Sequence, residues 1–120
     1  MHELSIAQNV IETVKQHIAE EDLWRVGSIT MRIGELGGVM TDSLEFCYGE
    51  LTADTPLSTS SLRIERVPFQ IECLECLRPS LNERGFAVCP FCGSGNTKIL
   101  SGDELHIVAI ELNEASETNI

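Results

Sequence analysis

Basic residues are scarce in this chain: eight Lys and Arg stand against nineteen Asp and Glu, a formal net charge of −11. Such a surface repels a phosphate backbone, which argues against nucleic acid as a partner and makes small cations the favoured ligands. Long apolar runs are missing too. No uninterrupted stretch exceeds four residues, as at Ile107–Ile110, against the roughly 20 that a membrane helix needs, so no membrane association is expected. The start lacks the basic-then-apolar succession of a secretory leader, with Glu3 arriving almost at once. Taking Met1 as the native start, the expected compartment is the cytoplasm. Nor is there length for a two-domain enzyme, since 120 residues hold one modest core, or one core plus a small module that needs a staple.

What is present is ordinary globular composition, 42% hydrophobic and 22% charged, which is enough apolar material to fold. Leu4, Ala7, Ile11, Val14 and Ile18 recur at intervals of three or four and predict an amphipathic helix from Leu4 to about Ala19. After the acidic Glu20-Glu21-Asp22, Ile29, Met31 and Ile33 alternate with Ser28, Thr30 and Arg32, as in a strand with one buried face, until Gly34, Gly37 and Gly38 end it. A second helix is predicted from Asp42 to Ala53, with Asp42 and Glu45 as a capping box and Leu44, Tyr48 and Leu51 on one face. Residues 52–61 read as loop, and a strand follows on Leu62 and Ile64. Past Pro68 the apolar parity shifts to Val67, Phe69 and Ile71, marking a bulge or strand change at a module boundary. Leu105–Leu112 carries apolar residues on both parities, the pattern of a strand covered on both faces. Only the core built by the helices and earlier strands can bury it, so the chain leaves that domain, makes a small module and returns. The expected division is 1–69 with 98–113 as one α+β domain, 70–97 as an inserted module, and 114–120 as a flexible polar tail.

The module is defined by Cys73-x-x-Cys76 and Cys89-x-x-Cys92. Two such pairs can bring four thiolates around one ion, and tetrahedral sulfur coordination suits zinc. With all four positions filled by protein there is no vacancy for water or substrate, so the zinc is read as structural, holding together residues that lack a core of their own. Iron in a rubredoxin-like electron carrier is the rival for the same ligands, although such a carrier would not need the long remainder of the chain. In Cys89-Pro90-Phe91-Cys92-Gly93 the glycine supplies a positive φ, whereas Leu77-Arg78-Pro79 follows Cys76 without one. The fifth cysteine, Cys47, reads as a small core residue.

The amino terminus offers a second metal chemistry. The Met1 amine, the deprotonated amide nitrogen of His2 and its imidazole Nδ1 can close fused chelate rings and place three nitrogens in one plane. Planar nitrogen ligation favours Ni(II) or Cu(II) over zinc. Glu3 and Asp42 are candidates by charge for the remaining position, as are water or a partner. Uptake there should weaken as pH falls, because the amine and amide must lose protons. His17 and His106 read as surface or packed histidines.

Met1-His2-Glu3-Leu4-Ser5, Ile33-Gly34-Glu35-Leu36 with Gly38-Val39, and the cysteine pairs ending in Cys-Pro-Phe-Cys-Gly together resemble the HypA/HybF family of hydrogenase maturation nickel metallochaperones. The resemblance implies two helices packed on a small three-stranded mixed sheet, forming a nickel-binding domain, with an inserted zinc-ribbon-like domain. It implies His2 as a nickel ligand with Met1 and Glu3 beside it, and Cys73, Cys76, Cys89 and Cys92 as zinc ligands. It also implies a HypB-type GTPase partner, delivery of Ni2+ as cargo to the large subunit of NiFe hydrogenase, and service to urease in some members. The expected protein is no enzyme, and is a monomer or homodimer that passes nickel on by ligand exchange. A zinc-stapled adaptor that binds only protein is the other alternative.

Overall fold

The computed structural model describes residues 3–81 and 87–114. Helix α1 spans Glu3–His17 and buries Ile6, Ala7, Val10 and Val14. This face is rotated from the expected one, since Leu4 is exposed and Ile11 and Ile18 are only half-buried. Two apolar stripes lie side by side on the helix, and spacing does not say which of them meets the core. A short 3-10 helix over Glu20–Arg25, unforeseen from the acidic run, buries Leu23. Strand β1, Val26–Gly34, follows with Ile29, Met31 and Ile33 inward, as the alternation predicts.

β1 ends where only glycine fits. A Cβ on Gly34 would lie 1.9 Å from the Gly102 carbonyl oxygen, and Gly34 N–H donates to the Glu104 carbonyl at 2.7 Å. After a 3-10 turn at Glu35–Gly37, closed by Gly38 at φ 66°, helix α2 runs Thr41–Thr52 with Leu44, Tyr48 and Thr52 buried. The expected Asp42–Glu45 capping box does not form. Met40 is the N-cap and its own side chain makes no capping bond. In the loop that follows, Leu57 is 1% exposed, a core residue with no periodic neighbour in the sequence to announce it.

The remaining strands are β2 (Ser61–Val67), β3 (Gln70–Cys73), β4 (Pro79–Leu81), β5 (Thr97–Ser101) and β6 (Leu105–Leu112). They make two three-stranded sheets, β2-β1-β6 and β4-β3-β5. With α1 and α2 this is an α+β fold carrying a four-cysteine region between β2 and β6. Arg25 meets Asn113 and Gly34 meets Glu104, so β6 runs antiparallel to β1. β3 is antiparallel to both its neighbours, with a register shift against β5 between Gln70 and Ile71. The strand change expected at Pro68 therefore falls between β2 and β3.

Packing divides the chain into two compact units. One takes residues through Met31, 39–64 and those from Ile107 onward, and the other takes 32–38 and 65–106. The first is built on α1 and α2. The second centres on Phe69, Ile71, Cys73 and Cys89, all at most 2% exposed. One expectation fails outright: β6 is covered on neither face. It is an edge strand whose eight residues are all exposed or half-exposed, so two apolar parities here do not signal a central strand. Among the described residues no helix is long and apolar enough to cross a membrane.

Candidate metal centre

Period-two alternation along the chain delivers the first ligand. Phe69, Ile71 and Cys73 point to one face and are buried, so β3 carries Cys73 into the interior of its unit. The chain then turns tightly. Leu77 N–H donates to the Cys73 carbonyl at 2.9 Å, and Cys73 N–H donates to the Arg78 carbonyl at 3.0 Å. The second pair repeats this turn: Gly93 N–H donates to the Cys89 carbonyl, and Cys89 N–H to the Ser94 carbonyl, both at 2.9 Å. Leu74 N–H, bonded to the Asn96 carbonyl at 2.9 Å, ties the first turn to the segment after the second.

Each turn aims backbone N–H groups at its leading sulfur. Glu75 and Cys76 donate to Cys73 Sγ at 3.3 and 3.4 Å, and Phe91 donates to Cys89 Sγ at 3.4 Å. At the position after the second cysteine, Gly93 has φ 76° and Leu77 has φ 61°. The absent glycine therefore leaves the first turn's shape intact, and a leucine accepts a backbone conformation that costs roughly 1–2 kcal/mol. Arg78, next in the chain, lies over the Phe91 ring at 5.1 Å and spans the two turns.

The four cysteine sulfurs lie within 4.8 Å of one another, a group that could hold a metal ion. Cys73 and Cys92 are 3.5 Å apart, and Cys76 and Cys89 3.7 Å. A regular ZnS4 tetrahedron with bonds near 2.3 Å has sulfur–sulfur edges of about 3.8 Å, so the cage fits one such ion. All four thiols receive backbone N–H groups, and the interactions among the thiols themselves split them into two kinds. The N–H of Cys76 holds Cys73 below the ordinary thiol range against the effect of burial, with Glu75 helping. Burial opposes ionisation of Cys89, but the Cys92 and Phe91 N–H groups outweigh it and bring the thiol to about 7. Cys76 and Cys92 go the other way. The Arg78 and Ser94 N–H groups favour their thiolates, yet burial and the neighbouring thiols prevail, and Cys92 is pushed up to about 12. Four thiols this close resist sharing four negative charges, and a bound dication reverses that logic.

Of the other residues singled out from the sequence, Met1 and His2 lie outside the described residues. Glu3 opens α1, and its Oε2 accepts a hydrogen bond from Met40 N–H at 3.0 Å. This supplies the missing cap of α2 from another helix. No local motif announces it, because the partners are 37 positions apart. Asp42 is exposed in the first turn of α2. Cys47 is half-buried on α2. His17 is exposed, its Nδ1 2.8 Å from the Thr13 carbonyl oxygen, and His106 is exposed on β6. Among the described residues, the four cysteines are the group placed to hold an ion.

Residues 1–112 match a family model described as HypA, hydrogenase/urease nickel incorporation, metallochaperone. A hydrogenase maturation factor HypA from Geobacter metallireducens is 38% identical over 112 residues, covering 93% of this chain and 99% of that protein. One from Streptomyces avermitilis is 39% identical, covering 92% and 86%. The solution structure of the Ni metallochaperone HypA from Helicobacter pylori superposes with a TM-score of 0.64 at 20% identity, covering 96% of this chain and 100% of that one, which establishes a shared fold.

Proposed function

This chain belongs to the HypA family of nickel metallochaperones, which are maturation factors and not enzymes, and from that premise we propose that it binds Ni(II) through Met1, His2 and Glu3 and delivers it during maturation of NiFe hydrogenase. The Met1 amine, the His2 amide nitrogen and the His2 imidazole form the planar donor set that selects nickel. Glu3 completes the motif. The cysteine cage selects zinc by sulfur and stays closed, so the two metals do not compete for one site. The zinc-binding domain is 70–97, the stretch that carries all four cysteines, and the nickel-binding domain is 1–69 with 98–113. The partners are a HypB-type GTPase and the hydrogenase large subunit, met in the cytoplasm.

The observation that carries the nickel reading is the bond from Met40 N–H to the Glu3 carboxylate at 3.0 Å. It fastens Glu3, the next residue in the chain after the proposed chelating pair, onto the start of α2. An incomplete planar shell there can be filled by ligands from an acceptor, which makes release by exchange feasible.

Nickel titration of the zinc-loaded chain tests this directly. The unmodified terminus should bind one Ni(II). Acetylating the Met1 amine or making His2→Ala should abolish that binding while the zinc content stays unchanged. Equal binding by all three forms would refute the assignment.

A further inference from the structure

Two residues that periodicity assigns to the core stop short of it. Ile11 on α1 and Leu51 on α2 are only half-buried, because both line a cleft of about 220 Å3 within the first unit, together with the buried Leu23 and Leu57. The same cleft is lined by one charge of each sign. Lys15 lies in the last turn of α1, and Asp54 follows the end of α2. Both are exposed, and neither side chain makes an ion pair or a hydrogen bond among the described residues. Asp54 is held at φ 64°, a left-handed backbone that few residues besides glycine and asparagine accept. The loop that holds it there satisfies its polar groups internally. Thr55 N–H and the Thr55 hydroxyl both donate to the Thr52 carbonyl, at 3.0 and 2.6 Å, and Leu57 N–H donates to Thr55 Oγ1 at 3.1 Å. The Lys15 ammonium and the Asp54 carboxylate are thus left for a ligand.

From these groups we propose that the cleft binds an aliphatic α-amino acid as its zwitterion. The side chain lies against Ile11, Leu23, Leu51 and Leu57, the ligand carboxylate meets the Lys15 ammonium, and the ligand ammonium meets the Asp54 carboxylate. The inference does not depend on the nickel reading. Size points to a small molecule, since pockets for drug-sized ligands hold roughly 300–1,000 Å3. Charge narrows the class further. An aliphatic acid would leave Asp54 without a partner and carry its charge toward a chain of net charge −11, which repels it. An aliphatic amine would satisfy Asp54 and leave Lys15 facing a like charge. Lys15 and Asp54 do not pair with each other, so a gap separates them, and a neutral molecule with both charges side by side can bridge it.

Amide chemical shifts of the full-length zinc-loaded protein, followed while L-leucine is added, test the site. Amides of residues 11–15 and 51–57 should shift and saturate, with half-saturation at about 1 mM. Glycine, which has the same two charges and no side chain, should leave them unmoved. Lys15→Met and Asp54→Asn should each weaken leucine binding about tenfold, and asparagine keeps the left-handed backbone accessible. N-acetyl-leucine, which lacks the ammonium, should bind about tenfold more weakly and be indifferent to Asp54→Asn. Leucinamide, which lacks the carboxylate, should be indifferent to Lys15→Met. A wild type whose shifts do not saturate by about 20 mM leucine overturns the proposal, as does leucine binding that neither substitution alters. Leucine capped at both ends and bound as tightly as free leucine overturns it too, and would give the cleft to an aliphatic side chain of a partner protein.

Discussion

Leu77 and Gly93 occupy equivalent positions in the two cysteine turns, at φ 61° and 76°. Leu77 is 70% exposed, so its side chain has little packing to lose. Leu77→Gly should therefore stabilise the zinc-loaded protein by about 1 kcal/mol, and Gly93→Ala should destabilise it by a similar amount, as read by denaturant titration. The sequence showed the cysteine spacing and the one glycine. It did not show that a leucine would take up the other's conformation, because a side chain tolerates that backbone only when the surrounding hydrogen bonds enforce it. Tyr48 offers a second residue-scale check. Ser60 Oγ donates to the Leu57 carbonyl, so the Tyr48 hydroxyl donates to Ser60 Oγ at 2.6 Å. Burial raises the phenol above its ordinary value of 10, and the Ser60 hydroxyl offsets this in part only by turning to donate to the phenolate once it forms. The unfolded chain ionises first, so the stability from the buried phenol is complete below pH 10 and is lost as pH rises toward the folded value. Tyr48→Phe should cost about 1 kcal/mol at neutral pH and flatten the alkaline decline. Equilibrium unfolding at neutral and alkaline pH, with phenolate absorbance from this single tyrosine in the wild type, checks both.

At the scale of elements, α2 shows what pattern alone could and could not give. Leu44 and Tyr48 lie on its buried face as their spacing requires, but the cap comes from Glu3 on α1 and not from Asp42 with Glu45. A carboxylate at a helix N-terminus gains from the hydrogen bond and from the positive end of the helix dipole. Glu3→Ala should lower stability by about 1 kcal/mol and speed amide exchange in the first turn of α2 in metal-free protein; unchanged exchange there would remove the fastening role. The existence of α1, β1 and α2 was legible because each has one period over many residues. The buried stripe of α1 was not, since Leu4–Ile18 and Ile6–Val14 are equally regular and only tertiary packing chooses between them. β6 misled for a related reason: apolar residues on both parities describe an open apolar edge as well as a central strand, and sequence does not say whether a neighbour exists.

For the whole molecule, the family was readable from its two ends of chemistry, the opening Met1-His2-Glu3 and the doubled cysteine pairs, and the match over residues 1–112 agrees. That Cys73, Cys76, Cys89 and Cys92 would come together was visible in advance, because a four-sulfur metal site fixes residue type and spacing together. The partition of the chain was harder to see. Residues 32–38 pack with 65–106, because the Gly34–Gly102 approach draws the end of β1 to that unit, and nothing in the hydropathy of residues 32–38 signals it. The central claim is that one chain sorts two metals by ligand chemistry, sulfur for zinc and terminal nitrogens for nickel. X-ray absorption at both metal edges, on unmodified protein loaded with one equivalent of each, tests it most directly. The account predicts zinc with four sulfur neighbours and nickel in a planar shell of nitrogen and oxygen alone; sulfur bound to the nickel, or nickel displacing zinc from the cysteines, would contradict it.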